Sequence, residues 1–157
     1  MIIGHWHTAF TVSDINRTVK FYTELLNFEV VHSQRQNNEY TRKFVGYEDA
    51  DLEAVMLKIS GHDAGRSGHV LELNQYYAPK GEKLDVKTCN VGAAHLALLV
   101  DDIFETYEFL ISNGVEFKSP PVSIQAGRNQ GGYTCYFLDP DGITLEIVQP
   151  PNKELGK

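Results

Sequence analysis

Four residues in this chain are of a type and placement that suit a divalent metal ion: His7, Glu72, His95 and Glu146. Neutral imidazole and carboxylate are donors that borderline ions such as Ni, Co, Zn, Fe and Mn accept. Two of each would leave an octahedral ion two positions for water or substrate. Each glutamate stands inside an apolar run, Val70-Leu71-Glu72-Leu73 and Thr144-Leu145-Glu146-Ile147. A carboxylate so placed is costly to bury unless it is paired or binds a cation. Taken singly, a strand histidine is more often structural or solvent-facing, and a mid-strand glutamate more often exposed or paired with Arg or Lys. The metal reading therefore rests on the two residue types recurring together.

They recur because the chain repeats itself. His7-Thr8-Ala9-Phe10-Thr11-Val12-Ser13-Asp14-Ile15 lies over His95-Leu96-Ala97-Leu98-Leu99-Val100-Asp101-Asp102-Ile103 at an offset of 88 residues, and the same offset pairs Thr18 with Thr106 and Phe21 with Phe109. Each copy opens with a histidine in its first strand and closes with a glutamate in its last. Pseudo-twofold duplication would bring these equivalent positions together as four ligands. His5 shares the strand parity of His7 but falls opposite Ala93 and has no repeat partner; His32, His62 and His69 have none either.

The elements that must position these residues follow from periodicity. Each copy begins with a β-branched and apolar run, then an acidic N-cap, Asp14 or Asp102, then apolar residues at helical spacing. Val19, Tyr22, Leu25 and Leu26 fall on one face of the first helix, and Phe104, Tyr107, Leu110 and Ile111 on one face of the second. Asn27 and Asn113-Gly114 end the helices. Strands are predicted at Phe28 to Ser33, Leu52 to Ile59 and His69 to Tyr76, and at Val115 to Lys118, Tyr133 to Leu138 and Ile143 to Gln149. Asp139-Pro140-Asp141-Gly142 is a turn. Glu39 to Tyr47, with Tyr40, Lys43, Phe44 and Tyr47 at helical spacing, reads as a short helix inserted into the first copy. The pattern is βαβββ twice, an α+β fold: modules at about 3–79 and 92–150, a connector at about 80–91, one domain over 1–157. Alternation turns Leu71, Leu73, Leu145 and Ile147 toward the helices and both glutamates toward the opposite, concave sheet surface.

A length of 157 residues suits one compact domain with no need of disulfides. Cys89 and Cys135 have no CxxC spacing and predict neither a disulfide framework nor a thiolate zinc site. The net charge of −7 argues against nucleic-acid binding, which needs clustered Lys and Arg. No apolar run approaches the roughly 20 residues of a membrane span, and the opening MIIGHWHTAF carries no secretory signal. The expectation is a cytoplasmic protein with a small-molecule substrate and no nucleic-acid or membrane partner.

HTAFTVSDINRTVKFYTELLNFEVV at 7–31, AHLALLVDDIFETYEFLISNGVEF at 94–117 and YFLDPDGITLEIVQP at 136–150 resemble the vicinal oxygen chelate superfamily. That superfamily includes glyoxalase I, methylmalonyl-CoA epimerase, extradiol dioxygenases, and the fosfomycin and bleomycin resistance proteins. The resemblance implies its paired βαβββ fold, a homodimer, and ligands at the positions of His7, Glu72, His95 and Glu146. The full set is similar to that of bacterial glyoxalase I and several epimerases. The arginine with which glyoxalase I meets glutathione is here Thr11, and its asparagine-bearing segment is replaced by Asn74-Gln75-Tyr76-Tyr77-Ala78-Pro79, so glutathione recognition is not expected.

What the resemblance implies is a metal-dependent isomerase, epimerase or lyase that binds vicinal oxygens of a small carbonyl compound and acts through an enediolate. Glu146 or Glu72 would be the base, with Glu39 a weaker candidate. One alternative is an iron-dependent, extradiol-type dioxygenase using His7, His95 and Glu146, with Glu72 displaced. Another is a metal-free sequestering protein in which Tyr40, Tyr47, Tyr76, Tyr77 and Tyr133 line an apolar pocket. Arg128, among Gly127, Gly131 and Gly132, reads as a solvated loop residue.

Overall fold

A computed structural model describes residues 1–63 and 70–151. The chain divides into two compact units, Met1–Lys83 and Leu84–Lys157. Among the described residues, no helix is long and apolar enough to cross a membrane.

The first unit runs β1 (His7–Thr11), α1 (Ile15–Leu25), β2 (Phe28–Gln36), α2 (Glu39–Val45), β3 (Asp51–Ile59) and β4 (Val70–Ala78). Its sheet has the order β1-β4-β3-β2, with β1 parallel to β4 and the other pairs antiparallel. The second unit runs β5 (His95–Leu99), α3 (Ile103–Ser112), β6 (Val122–Ser123), β7 (Tyr133–Leu138) and β8 (Thr144–Gln149), in the order β5-β8-β7-β6 with the same parallel and antiparallel pattern. The α+β architecture read from the sequence is therefore the one the chain adopts.

Local chemistry explains each boundary. Asp14 accepts a hydrogen bond from the Arg17 amide, and Asp102 from those of Phe104 and Glu105, which satisfies donors that a helix start leaves orphaned. Asn27 (φ 57) and Gly114 (φ 80) take the left-handed turn that ends each helix. The inserted helix is present as α2, capped by Asn38 and ended by Gly46 at φ 80. Asp139 Oδ1 accepts from the amides of Asp141 and Ile143, closing the turn between β7 and β8.

In each unit the helix covers one sheet face. Val55, Leu57, Leu71 and Leu73 of the first sheet are buried, as are Ile15 and Tyr22 of α1; Phe137, Leu145 and Ile147 of the second sheet are buried, as are Ile103 and Leu110 of α3. A leucine or isoleucine buried so fully contributes roughly 1.5–3 kcal/mol. These layers hold β4 and β8 flat against the helices and turn their alternate residues to the opposite face.

Two expectations fail. Val115 to Lys118 is not a strand: Phe117 makes one isolated bridge to Phe137, and the edge strand β6 comes later, at Val122–Ser123. Pro120 and Pro121 lack amide donors and break the edge between the two pairings. Of the predicted inner face of α3, Leu110 is buried, but Phe104 and Ile111 are 50% and 41% exposed, and Ile103 is buried in their place. Asp102 starts the helix so that Ile103 meets the sheet, and Phe104, about 100° further round, packs edge-on against Tyr133 at the rim. His69, the predicted start of β4, lies outside the described residues.

Candidate metal centre

The structure brings the four predicted ligands together as two pairs, one in each unit. His7 pairs in register with Val70, so Ala9, two residues on, pairs with Glu72. His95 pairs with Thr144, so Ala97 pairs with Glu146. In both units the histidine and the glutamate thus stand diagonally on neighbouring parallel strands, on the face opposite the helix, with an exposed alanine beside the carboxylate. His7 Nε2 lies 3.8 Å from Glu72 Oε1, and His95 Nε2 lies 3.2 Å from Glu146 Oε2.

The surroundings of each carboxylate are polar but uncharged. Asn74 Nδ2 donates to Glu72 Oε1 at 2.8 Å, and the Thr134 hydroxyl donates to Glu146 Oε1. Among the described residues, no Lys or Arg forms an ion pair with either glutamate. Both are largely covered, with side chains 20% and 17% exposed. The His7 Nδ1 atom is buried and has no partner among the described residues, which leaves Nε2 as the ring atom offered to a ligand.

Each pair has donors and a spacing suited to two coordination positions of a divalent ion. Two ligands about 2.1 Å from one metal at angles of 90–109° stand roughly 3.0–3.4 Å apart. The His95–Glu146 pair already has that spacing, and the His7–Glu72 pair needs a closure of about half an ångström. Two half-buried carboxylates, each anchored by one oxygen and facing an imidazole rather than a cation, are what a metal would neutralise. Among the described residues, no group of three or more His, Cys, Asp or Glu side chains is gathered at one point; the four residues stand as two pairs, one in each unit.

The other candidates fall elsewhere. His5 precedes β1, with Nε2 at 3.4 Å from the Thr8 hydroxyl. His32 is exposed on β2, opposite Met56. Glu39 forms a surface ion pair with Lys43 at 2.6 Å. Tyr77 turns to the opposite face from Tyr76, donating to Glu53 at 2.7 Å beneath the Arg35 guanidinium, and so leaves any aromatic lining on the Glu72 face.

Several positioning residues escaped the sequence reading. Gln75 Oε1 accepts from the Ile15 amide at 2.7 Å, and Gln149 Oε1 from the Ile103 amide at 2.9 Å. Each glutamine thus pins the first turn of its helix to the strand that carries the glutamate. The signal was present as Glu-x-x-Gln at 72–75 and again at 146–149. Tyr136 pairs with Glu146 across β7 and β8, and its ring lies 5.3 Å from that of His95.

Fold and site together define a class: proteins built of two βαβββ modules, each presenting a histidine and a glutamate from neighbouring parallel strands. The comparisons agree with the fold. A family model described as Glyoxalase/Bleomycin resistance protein/Dioxygenase superfamily matches residues 5–147, and the chain belongs to that family. A probable lactoylglutathione lyase from Vibrio parahaemolyticus is 29% identical, over 96% of this chain and 93% of its own. A 2-epi-5-epi-valiolone epimerase from an Actinomyces species is 30% identical, over 92% of this chain and 78% of its own. The crystal structure of a glyoxalase family protein from Bacillus cereus superposes with a TM-score of 0.77 at 18% identity, covering 97% of each chain, a likeness of fold.

Proposed function

We propose that His7, Glu72, His95 and Glu146 together hold one divalent metal ion, and that the protein is a glyoxalase-type isomerase, epimerase or lyase of a small carbonyl compound with vicinal oxygens. The observation that carries this reading is one geometry built twice: a histidine facing a half-buried carboxylate that has no cationic partner among the described residues. The lyase and epimerase names of the relatives support it.

When bound, the metal supplies Lewis acidity at two adjacent substrate oxygens and so favours negative charge beside a carbonyl. The protein's own groups move the proton. A carboxylate next to the substrate takes it from the carbon adjacent to the carbonyl and returns it to the neighbouring carbon for an isomerisation; for an epimerisation one glutamate takes the proton and the other, carrying its own proton, delivers that to the opposite face of the same carbon. Glu146 and Glu72 are suited to this because Thr134 and Asn74 hold Oε1 of each carboxylate in place; Oε2 of Glu146, which faces His95, would take the proton on leaving the metal, and Oε2 of Glu72 lies on the side away from its bond to Asn74. Thr11, where glyoxalase I has its glutathione-binding arginine, supports a substrate other than a glutathione adduct.

The test is elemental analysis of metal-replete protein beside the Glu72→Ala and His95→Ala variants, one from each unit. The expected result is close to one metal per chain in the parent and near none in either variant. Retention of about half the metal in each variant would mean two independent pairs and overturn the shared site. A metal-free parent would overturn the mechanism.

A further inference from the structure

We propose that Tyr47 and Tyr76 form an aromatic wall beside Glu72 that receives an uncharged aryl or bulky alkyl group of the substrate. The inference rests on the reading of Glu72 as part of the metal centre and deepens it to a substrate class.

Tyr76 is on β4 with Glu72, four residues on and therefore on the same sheet face, with Asn74 between them. Asn74 is committed to Glu72 through its Nδ2. The Tyr76 phenol is held above its usual ionisation range, first by burial, then by Tyr47 and by the Glu72 carboxylate. Tyr47 stands edge-on to Tyr76, ring centroids 6.1 Å apart at 87°, yet remains 50% exposed. Its position comes from α2: Gly46 ends that helix in the left-handed conformation and turns the chain back toward β3 and β4.

The charges on this face define what the wall accepts. Of the strand residues of the first unit that share the Glu72 face, Lys58 is the one Lys or Arg and is held by Glu29 at 3.0 Å, while His32 stands opposite Met56 on the far strand β2. A face with two phenols and no available cation favours a neutral, flat or branched apolar group over an anionic peptide tail. The second unit lacks this pair, and the aromatic beside its carboxylate is Tyr136, whose ring lies against His95 instead. At the offset of 74 residues that relates Glu72 to Glu146, Tyr76 corresponds to Pro150, and no helix stands between β6 and β7. The inserted helix thus gives one unit a role in selecting substrate that its repeat lacks.

Two probes with the same vicinal-oxygen head test this: benzohydroxamate and acetohydroxamate, titrated calorimetrically into the full chain loaded with Ni. The expected result is benzohydroxamate at least tenfold tighter in the parent, a difference of about 1.4 kcal/mol. That preference should fall below threefold in Tyr47→Ala and in Tyr76→Ala, with acetohydroxamate affinity unchanged; unchanged acetohydroxamate binding also certifies that each variant is folded. Equal affinities in the parent, or a preference that survives Tyr47→Ala, would overturn the wall and leave the metal centre standing. Failure of both probes to bind the parent would overturn the metal centre, and the wall with it.

Discussion

Replacing Glu146 by glutamine should make the metal-free protein more stable and at the same time abolish its stabilisation by metal. The carboxylate is 17% exposed, flanked on its strand by the fully buried Leu145 and Ile147, and among the described residues faces the His95 imidazole rather than a Lys or Arg. Without metal its charge is held in a poorly solvated place. A carboxamide keeps the volume and the hydrogen bond from Thr134 and removes that charge, a gain of about 0.5–1 kcal/mol. For a chain of this length each kcal/mol moves the midpoint by about 2–4 °C, so chelator-treated Glu146→Gln should melt about 1–4 °C above the chelator-treated parent. Free metal at a hundred times its dissociation constant adds about 2.7 kcal/mol to the parent, or roughly 5–11 °C. The variant should show none of that rise. The assay is paired thermal melts of parent and variant, each with chelator and with excess metal. A variant that melts several degrees below the parent in chelator would refute the reasoning, because the carboxylate would then be a structural group rather than one held ready for a cation.

The glutamine pins should matter to stability in both units. Gln149→Ala removes the acceptor of the Ile103 amide at a part-buried helix start, and Gln75→Ala does the same for Ile15; each should cost about 1–2 kcal/mol by urea denaturation with an unchanged slope. Burial, reinforced by the Glu146 carboxylate, pushes the Cys135 thiol from about 9 up to about 11. At pH 8, iodoacetamide should therefore add once, at the exposed Cys89, and a second adduct should appear only on unfolding, as read by intact mass. The sign for stability follows. The unfolded thiol ionises first, so this group's contribution is whole below about pH 9 and is lost as pH rises toward about 11.

Much of the molecule was legible in the sequence because its signals are local and occur twice. Asp14 and Asp102 mark helix starts by capping chemistry, Asn27 and Gly114 mark ends by tolerance of positive φ, and Leu-Glu-Leu and Leu-Glu-Ile mark strands whose odd residue faces away from the core. Repetition at fixed offsets then singled out His7, Glu72, His95 and Glu146 without any knowledge of their contacts. Where a signal was single or ambiguous, packing decided. Val115 to Lys118 has strand composition, but two prolines downstream displace the edge pairing. Phe104 and Ile111 are apolar enough for the core, but the angle at which Asp102 launches α3 gives that place to Ile103. The register of β1 on β4 and of β5 on β8, which sets each histidine diagonally against its glutamate, arises from pairings some 50 to 65 residues apart in the chain. So do the roles of Gln75 and Gln149, whose helix starts lie 60 and 46 residues away, whereas Asn74 and Thr134 hold glutamates only 2 and 12 residues off. A residue's type sets which hydrogen bond or metal bond it can make. Only the pairing of distant strands sets which partner comes within about 3 Å of it.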